Sequence, residues 1–437
     1  MQTKNSRKAN DDRAVKVLKE RQDSKVSEKA KKDNKTNEKE KKVNAFITRA
    51  IWSVVLIAMF LVVILSGHFP LVLFVYLCQV LTFKEIIRLT AGPAQDKNIP
   101  YNKLINWYFL ISTIYYLDGE SLFNYFEDTI VSDKVLSFLV MHHMLISYAL
   151  YIAGFVFFVT TLKKGYLKFQ FSLLCITHMT LLLVVYQSHL IIDNVLTGIF
   201  WFLLPASLVI VNDIFAYLFG ITVGRTKLID ISPKKTVEGF IGAWISTGVA
   251  SLLFTSILSK FNYLICPASG LFAHAGSPIK CDPNPVFVAQ VYQLPAHIAK
   301  SVGIETISFK PIYIHALVLS AFASLIAPFG GFFASGLKRA FGIKDFGDTI
   351  PGHGGITDRL DCQFLMGSFS YFYIHTFVSL NHVTVRSVVQ LALVNLSAPQ
   401  IFQLIKALLK YLNNVGYLDD GDLRHVYKIL ENTIDIS

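Results

Sequence analysis

The segment VLTGIFWFLLPASLVIVNDIFAYLF, residues 195–219, decides the class of this protein. It contains one charged side chain, Asp213, and it exceeds the roughly 20 residues that an α-helix needs to cross a bilayer. Lipid offers no hydrogen-bond partner to an open backbone, so a segment of this kind must be helical. The sequence therefore predicts a membrane-spanning helix at these positions.

Apolar segments of similar length recur along the chain. Hydrophobic residues make up 53% of the 437 residues and charged residues only 16%, whereas soluble domains carry about 25% charged residues. We therefore predict an all-α polytopic membrane protein, a bundle of about 8–10 transmembrane helices with a polar active site at its cytosolic face. The candidate spans are 45–66, 69–87, 104–117, 136–160, 170–187, 195–219, 239–258, 312–334 and 364–380. No internal repeat supports the plan of an inverted-repeat transporter.

The two ends of the chain differ from this apolar middle. Residues 1–43 contain 15 Lys and Arg against 8 Asp and Glu and almost no apolar side chains, which predicts a disordered Lys-rich cytosolic tail. Such a tail would either attract anionic lipids or only set the topology. We predict that residues 44–380 form a transmembrane catalytic domain and that 381–437 form a C-terminal amphipathic helical tail, whose side of the membrane the sequence leaves open.

Lys and Arg are concentrated in alternate loops. With the N-terminal tail in the cytosol, the basic loops all fall on the cytosolic side: Lys84 with Arg88, 162–168, 224–227 and 337–339. The intervening loop 118–129 carries acids instead, which is the positive-inside pattern. Loop 259–311 then faces the opposite, oxidising compartment, where Cys266 and Cys281 could form a disulfide or stay as free thiols.

A polar segment interrupts the apolar pattern near the last spans. It reads SGLKRAFGIKDFGDTIPGHGGITDRLD, residues 335–361. Its basic residues are Lys338, Arg339, Lys344 and Arg359, and its acidic residues are Asp345, Asp348, Asp358 and Asp361. Basic side chains neutralise phosphate oxygens, and carboxylates beside them suit Mg²⁺ that also binds substrate phosphates. Positive-inside sorting explains Lys338 and Arg339, but not four aspartates on the same side.

The spacing within this segment suggests how it folds. Asp358 and Asp361 are three residues apart, so they would share one face if a helix begins there. Before them lies PGHGG, residues 351–355, where Gly354 and Gly355 let the backbone approach a ligand closely and could cradle an anion with their N–H groups. His353 would act as a proton donor, a phosphate ligand or only a turn residue.

A second polar set lies nearer the middle of the chain. In SPKKTVEG, residues 232–239, Ser232 and Thr236 offer hydroxyl groups, while Lys234 and Lys235 offer positive charge. Upstream, Asn212 and Asp213 interrupt the span 206–220. A carboxylate inside a span is costly and usually functional, although Asp213 could also pair with a nearby Arg or Lys for structural reasons.

These residues resemble a known family. The pattern S–x–L–K–R–x₄–K–D–x–G–x₂–I–P–x–H–G–G–I–x–D–R–L–D over 335–361 is similar to the signature of phosphatidate cytidylyltransferases, also called CDP-diacylglycerol synthases, and fills every fixed position. NDIFAY (212–217) and SPKKTVEG resemble two further blocks of that family. The likeness covers roughly 45–380, and the Lys-rich tail resembles the fungal, endoplasmic-reticulum branch.

The resemblance implies a Mg²⁺-dependent reaction of CTP with phosphatidic acid that yields CDP-diacylglycerol and pyrophosphate for phospholipid synthesis. A second cation stays an open alternative. The catalytic residues implied are Lys338, Arg339, Lys344, Asp345, His353, Asp358, Arg359 and Asp361. The substrate-binding residues implied are Ser232, Lys234, Lys235, Thr236, Asn212, Asp213, Gly354 and Gly355. Asp358 is the metal ligand implied first, with Asp361 or Asp345 beside it.

One position departs from the family pattern. Gly331 stands where many bacterial members carry an acidic metal ligand, so another carboxylate would have to replace it, Asp345 first and Asp213 second. The resemblance also implies a multi-pass protein of the endoplasmic reticulum membrane that faces the cytosol with its active site. Its expected partners are CTP, phosphatidic acid, the lipid bilayer and a second copy of itself, with no nucleic acid.

Two other classes of function stay open. Another CTP-dependent membrane lipid kinase would share the charged cytosolic cluster, but not the full spacing of 335–361. A transporter would carry its intramembrane charges along a path through the bilayer, whereas these charges gather at one face. The sequence contains no pattern that indicates an acyl-chain preference.

Overall fold

The protein is described by a computed structural model that covers most of the apolar part of the chain. The described residues are 47–48, 50–96, 99, 101–125, 138–139, 141–230, 232, 235–267, 274–277, 281–293, 306–352, 354–378, 388–389, 392–393, 396–419, 421, 423–424 and 426–427. The predicted tail 1–43 and the candidate residues Lys234 and His353 lie outside these ranges.

Nearly all regular structure in the described residues is helical. The helices are α1 (Ala50–Ser66), α2 (His68–Asp96), α3 (Asn102–Tyr125), α4 (His143–Thr160), α5 (Leu167–Thr180), α6 (Gln187–Thr197), α7 (Phe200–Thr222), α8 (Val237–Leu258), α9 (Asn262–Ile265), α10 (Ile312–Leu325), α11 (Pro328–Ala340), α12 (Thr357–Tyr373) and α13 (Ala398–Asn414). A π-helical segment, Leu181–Tyr186, joins α5 to α6. Strands β1 (Gln290–Gln293) and β2 (Thr306–Phe309) pair antiparallel, with Gln290 opposite Phe309. The all-α prediction is therefore confirmed, with one small sheet added.

Six helical stretches among the described residues are long and apolar enough to cross a membrane. They are His68–Thr90, His143–Thr160, Leu167–Thr197, Phe200–Thr222, Val237–Leu258 and Ile312–Ala340. The described parts of the other three predicted spans, 45–66, 104–117 and 364–380, fall mainly in helices that are shorter or more polar, namely α1, α3 and α12, and 374–378 form a π-helical segment. The polytopic character is confirmed, and the six long apolar stretches are fewer than the 8–10 predicted spans because these three helices do not meet that standard.

The chain divides into two compact units, Met1–Tyr373 and Ile374–Ser437. In the second unit, α13 begins with Pro399 in its first turn and a capping box in which Ser397 and Gln400 hydrogen-bond each other's backbone. Large apolar side chains of α13, such as Leu408 and Tyr411, are exposed. The candidate site lies entirely in the first unit.

Polar side chains join α12 to its neighbours inside the first unit. The Asn194 amide of α6 donates to the Gly367 carbonyl at 2.9 Å, and the Gln363 amide donates to the Ala206 carbonyl of α7 at 3.2 Å. The Ser370 hydroxyl donates to the Trp201 carbonyl at 3.3 Å. Such hydrogen bonds are the usual links between helices where lipid removes the hydrophobic drive for association. These hydrogen bonds fix α12 against α6 and α7. The N-terminus of α12 forms part of the candidate site.

The disulfide lies at one end of the bundle. Cys266 and Cys281 are bonded to each other, and the same loop reaches the turn between α1 and α2. There the Tyr263 hydroxyl donates to the Ile64 carbonyl, and the Ala275 N–H donates to the Leu65 carbonyl at 3.1 Å. Of the two possibilities that the sequence left open for these cysteines, the structure has the bridge.

Candidate active site

The N-terminus of α12 is held by a carboxylate from another helix. Glu85 of α2 is only 2% exposed, and one of its oxygens accepts the Ile356 N–H at 3.0 Å. Its other oxygen accepts both the N–H and the hydroxyl of Thr357, at 2.9 and 2.7 Å. The Thr349 hydroxyl donates to the same carboxylate. Because the first N–H groups of a helix lack partners within the helix, Glu85 satisfies them and ties the loop to α2.

Asp358 links the loop before α12 to α11. Its Oδ1 lies 2.5 Å from the Lys338 ammonium group, and both side chains are largely buried. Its Oδ2 accepts the Phe346 N–H at 3.0 Å and the Gly355 N–H at 3.3 Å. A carboxylate with an ammonium partner and two N–H donors is charge-assisted on both oxygens. In this structure Asp358 therefore organises the 346–355 loop with its whole carboxylate.

The glycine-rich turn is built by internal contacts. Gly354 has a φ of 84°, which L side chains rarely adopt, and its N–H donates to the Ile350 carbonyl at 3.1 Å. A Cβ on Gly355 would lie 2.7 Å from Glu85 Oε2, so only glycine fits there. The N–H groups of both predicted anion-binding glycines thus donate within the protein, and a substrate phosphate would have to displace those contacts.

A second charged cluster surrounds Gly331 of α11. A Cβ placed on Gly331 would lie 3.4 Å from Asp361 Oδ2 and 3.6 Å from Lys235 Nζ, so position 331 faces both groups. The charges of Lys235 and Arg359 act on the Asp213 carboxylate, and Asp213 in turn acts on Asp361. The structure therefore brings together four predicted residues from α7, α12 and the segment before α8.

Burial raises the pKa of the Asp361 carboxyl to about 6. The backbone N–H of Cys362 donates to Asp361 Oδ1 at 2.7 Å and opposes that rise, as does the charge of Lys235, whereas Asp213 adds to it. Asp361 lies in the second turn of α12, before the apolar part of the helix. A cation beside Asp361 would favour its ionised form.

Residues 235–239 fold back on the loop that follows α7. Thr236 caps α8, and its hydroxyl accepts the Gly239 N–H at 3.2 Å. Glu238 accepts the Arg225 N–H at 3.0 Å and the Thr226 hydroxyl at 2.8 Å. This closed turn aims Lys235 toward the cluster, where its ammonium group lies 4.5 Å above the Phe332 ring.

The remaining candidates lie at the rim or behind the clusters. Arg339, Lys344, Asp345 and Asp348 are exposed. The Arg339 guanidinium donates to the Ile343 carbonyl at 3.2 Å. Asn212 is 3% exposed and its side-chain oxygen has no hydrogen-bond partner among the described residues. Ser232 is partly buried, and its carbonyl accepts the Lys235 N–H at 3.1 Å.

The donor set suits a hard cation that is completed by substrate. Within the ranges that the structure describes, no group of three or more His, Cys, Asp or Glu side chains could hold a metal by itself. Mg²⁺ needs only one or two carboxylates, with phosphate and water oxygens in the remaining positions. Asp361 lies beside Gly331 and is influenced by the charge of Asp213, whereas Asp358 is occupied by Lys338 and two N–H groups.

Glu85 was missed by the sequence reasoning. It lies between Lys84 and Arg88 in a segment that indicated only the basic end of a span. Its partners are Thr349, Ile356 and Thr357, more than 260 residues away along the chain. The available signal was one acid among these basic residues at a helix end, and it gave no information on what the acid contacts.

Known proteins resemble this chain along most of its length. The model of the cytidylyltransferase family matches residues 47–377. A phosphatidate cytidylyltransferase of Saccharomyces cerevisiae is 54% identical over 388 residues, which cover 89% of this chain and 85% of the yeast protein. Phosphatidate cytidylyltransferase 1 of Arabidopsis thaliana is 43% identical over 358 residues, covering 81% of this chain and 84% of its own. Phosphatidate cytidylyltransferase 1 of Homo sapiens is 46% identical over 330 residues, which cover 76% of this chain and 72% of the human protein.

These matches agree with the motif-based resemblance. The matched region contains both charged clusters and Glu85, and the identity is higher to the yeast protein than to the plant and human proteins, as the fungal branch predicts. The chain therefore belongs to the cytidylyltransferase family, together with these phosphatidate cytidylyltransferases.

Proposed function

We propose that this protein is a CTP:phosphatidate cytidylyltransferase. A phosphate oxygen of phosphatidic acid attacks the α-phosphorus of CTP, a new P–O bond forms, and the bond from the α-phosphorus to the bridging oxygen breaks. The products are CDP-diacylglycerol and pyrophosphate. The names of the relatives and their coverage of this chain support the assignment.

The observation that carries the proposal is the meeting of opposite charges at one end of the helical bundle. Lys235 and Asp361 lie beside Gly331, Asp213 acts on Asp361, and the positive charges of Lys235 and Arg359 act on Asp213. Nucleotidyl transfer is largely positioning and charge neutralisation, with little covalent work for the protein. A site with cations for phosphate oxygens and carboxylates for a divalent ion meets that need.

Each group has a definite task in this scheme. Lys235 and Arg359 neutralise the phosphate groups that approach the Gly331 cluster, and Lys338 with Asp358 keeps the 346–355 loop in place. Arg339 and Lys344 at the exposed rim attract the anionic substrates. His353 and Lys234 retain the roles that the resemblance implies for them.

We assign Mg²⁺ to the carboxylates beside Gly331. Asp361 and Asp213 would hold it, with Asp345 and Asp358 nearest the glycine turn as further candidates. When bound, the ion would neutralise charge on the phosphates of CTP. A second cation stays a prediction of the resemblance.

A labelling experiment with purified protein tests the reaction. With Mg²⁺ and phosphatidic acid present, label from α-³²P CTP should enter the lipid phase, and label from γ-³²P CTP should appear only in water-soluble pyrophosphate. Entry of the γ-label into lipid would instead identify a CTP-dependent lipid kinase, and absence of both labels from lipid would contradict either enzyme. Repeating the assay with chelator in place of Mg²⁺ tests the metal.

We further propose that the protein resides in the endoplasmic reticulum membrane with this site facing the cytosol. The Cys266–Cys281 disulfide supports that orientation, because disulfides persist on the oxidising side of the membrane. Glu85 at the site lies 17 residues further along α2 than His68, and α2 begins beside the disulfide loop. At 1.5 Å per residue these points are about 26 Å apart, close to the thickness of the hydrocarbon core. Association into a homodimer stays a prediction.

A further inference from the structure

An apolar cleft opens beside the Gly331 cluster. Its volume is about 300 Å³, and it lies between α2, the α5–α6 stretch with its π-helical segment, α11 and α12. Two of its lining residues, Thr357 and Asp361, belong to the candidate active site. The cleft therefore reaches the charged cluster at Asp361.

The cleft runs from the membrane-facing flank of the bundle to this polar end. At the flank it is bordered by large apolar side chains that are exposed, namely Met179 at 46%, Phe329 at 56% and Phe333 at 48%. At the inner end its walls are buried, as at Val184 and Phe364. Exposed apolar residues on spanning helices face lipid, so a hydrocarbon chain could enter from the side without crossing water.

Two backbone features give the cleft its shape. The π-helical segment Leu181–Tyr186 interrupts the α5–α6 stretch, and its residues Leu183 and Val184 form part of the wall. π-Helical turns inside α-helices occur frequently at functional sites. Opposite, Gly330 lets α11 approach α12 closely, since a Cβ there would lie 2.3 Å from the Asp361 carbonyl oxygen.

We propose that this cleft binds one acyl chain of phosphatidic acid and that the shape of the cleft sets how tightly that chain is bound. The proposal rests on the proposed function and names the subsite that holds the lipid tail. A lipid phosphate at the end of the cleft that Asp361 lines would lie near Lys235, because both side chains approach Gly331, while the tail would lie among apolar side chains. A cavity of about 150 Å³ holds benzene, with six carbon atoms. By that measure this cleft takes roughly a dozen carbons, so the end of a longer chain would extend past the exposed lip into the bilayer.

Narrowing the cleft tests the proposal. Leu183→Phe adds bulk to the cleft wall, and Leu182→Phe is its matched control, because Leu182 is 60% exposed and does not line the cleft. With α-³²P CTP we expect Leu183→Phe to raise KM for dioleoyl phosphatidic acid about tenfold relative to dioctanoyl phosphatidic acid, the size of effect that one misfitting group causes in an apolar pocket. Leu182→Phe should keep the wild-type ratio of the two substrates.

The outcomes separate this proposal from the proposed function. If wild-type protein uses neither substrate, the proposed function fails. If wild-type protein is active and Leu183→Phe changes KM for both substrates by the same factor, or changes neither KM, the acyl-chain assignment is overturned.

A binding measurement covers the case in which Leu183→Phe does not fold. Phosphatidic acid with a diazirine at the tenth carbon of one chain should crosslink wild-type protein at Met179, Leu183 or Phe333 after irradiation. An excess of unlabelled phosphatidic acid should compete, and the same excess of phosphatidylcholine should not. Equal competition by phosphatidylcholine would identify a structural lipid instead and overturn the proposal.

Discussion

The carboxylate of Glu85 shapes the candidate site although it lies outside the charged motif. From α2, it accepts hydrogen bonds from the N–H groups of Ile356 and Thr357 and from the hydroxyl group of Thr349. We predict that Glu85→Gln lowers turnover about tenfold or more, because an amide loses the charge of these hydrogen bonds, each worth about 1.5–3 kcal/mol. Hydrogen exchange in residues 346–356 should become faster at the same time.

The neighbouring position supplies the control for that variant. Lys84 is exposed, so Lys84→Gln should leave both turnover and exchange at wild-type values. If Glu85→Gln lost turnover while exchange in the loop stayed unchanged, Glu85 would not act by positioning, and this interpretation would be wrong.

A second prediction at the scale of residues concerns Asp358. Asp358→Asn removes the negative charge beside Lys338 and places an NH₂ group against an ammonium group or a backbone N–H. We predict loss of at least 99% of turnover, since the cost of about 3–5 kcal/mol for removing one partner of a buried pair falls on the loop that Asp358 organises, while the helices still form and the protein is expressed. Asp348→Asn is the control because Asp348 is exposed in the same loop. Activity of Asp358→Asn close to wild type would exclude Asp358 both as an organiser of the loop and as a metal ligand.

At the scale of elements, the contact between α11 and α12 sets the geometry of the Gly331 cluster. Gly330 lies so close to α12 that a Cβ would come within 2.3 Å of the Asp361 carbonyl oxygen. We predict that Gly330→Ala pushes the helices apart and reduces turnover at least tenfold, with a lower Tm in detergent. Gly336→Ala on the same helix should be neutral or stabilising, because a Cβ there meets nothing within 4 Å and Ala favours a helix by about 1 kcal/mol. Equal effects of the two substitutions would contradict the close-contact argument.

The helices themselves were largely predictable, whereas the contacts between them were not. Hydropathy placed 195–219 and 239–258 within a few residues of α7 and α8, and the Asp358–Asp361 spacing anticipated the helix that begins at Thr357. Hydropathy cannot show that a π-helical segment interrupts the stretch from α5 to α6, because the π-helical residues are as apolar as their neighbours. It also cannot show that Glu85 reaches Thr357, because that contact depends on how α2 and α12 pack.

For the whole molecule, the family match begins after the N-terminal tail. The match begins at residue 47, and the residues of both charged clusters lie beyond residue 200. We predict that a chain lacking residues 1–40 retains wild-type kcat in detergent. In vesicles rich in anionic lipid, its KM for phosphatidic acid should change only if the basic tail binds the membrane. A fall in kcat in detergent would show that the tail contributes to the active site.

The final prediction concerns the sides of the membrane that the two ends of the bundle face. The segment next to the disulfide contacts the start of α2 through the rings of Tyr263 and His68, whereas Glu85 near the other end of α2 holds the candidate site, so the two must lie on opposite sides of the membrane if α2 crosses it. In sealed microsomes, an impermeant maleimide should modify Asp348→Cys without permeabilisation and Val291→Cys only after it, as mapped by mass spectrometry of the labelled peptides. Both positions are exposed, at the rim of the site and on β1 respectively. The reverse pattern would place the site away from cytosolic CTP and would contradict the proposed orientation, while modification of both positions before permeabilisation would show that α2 does not separate the two loops.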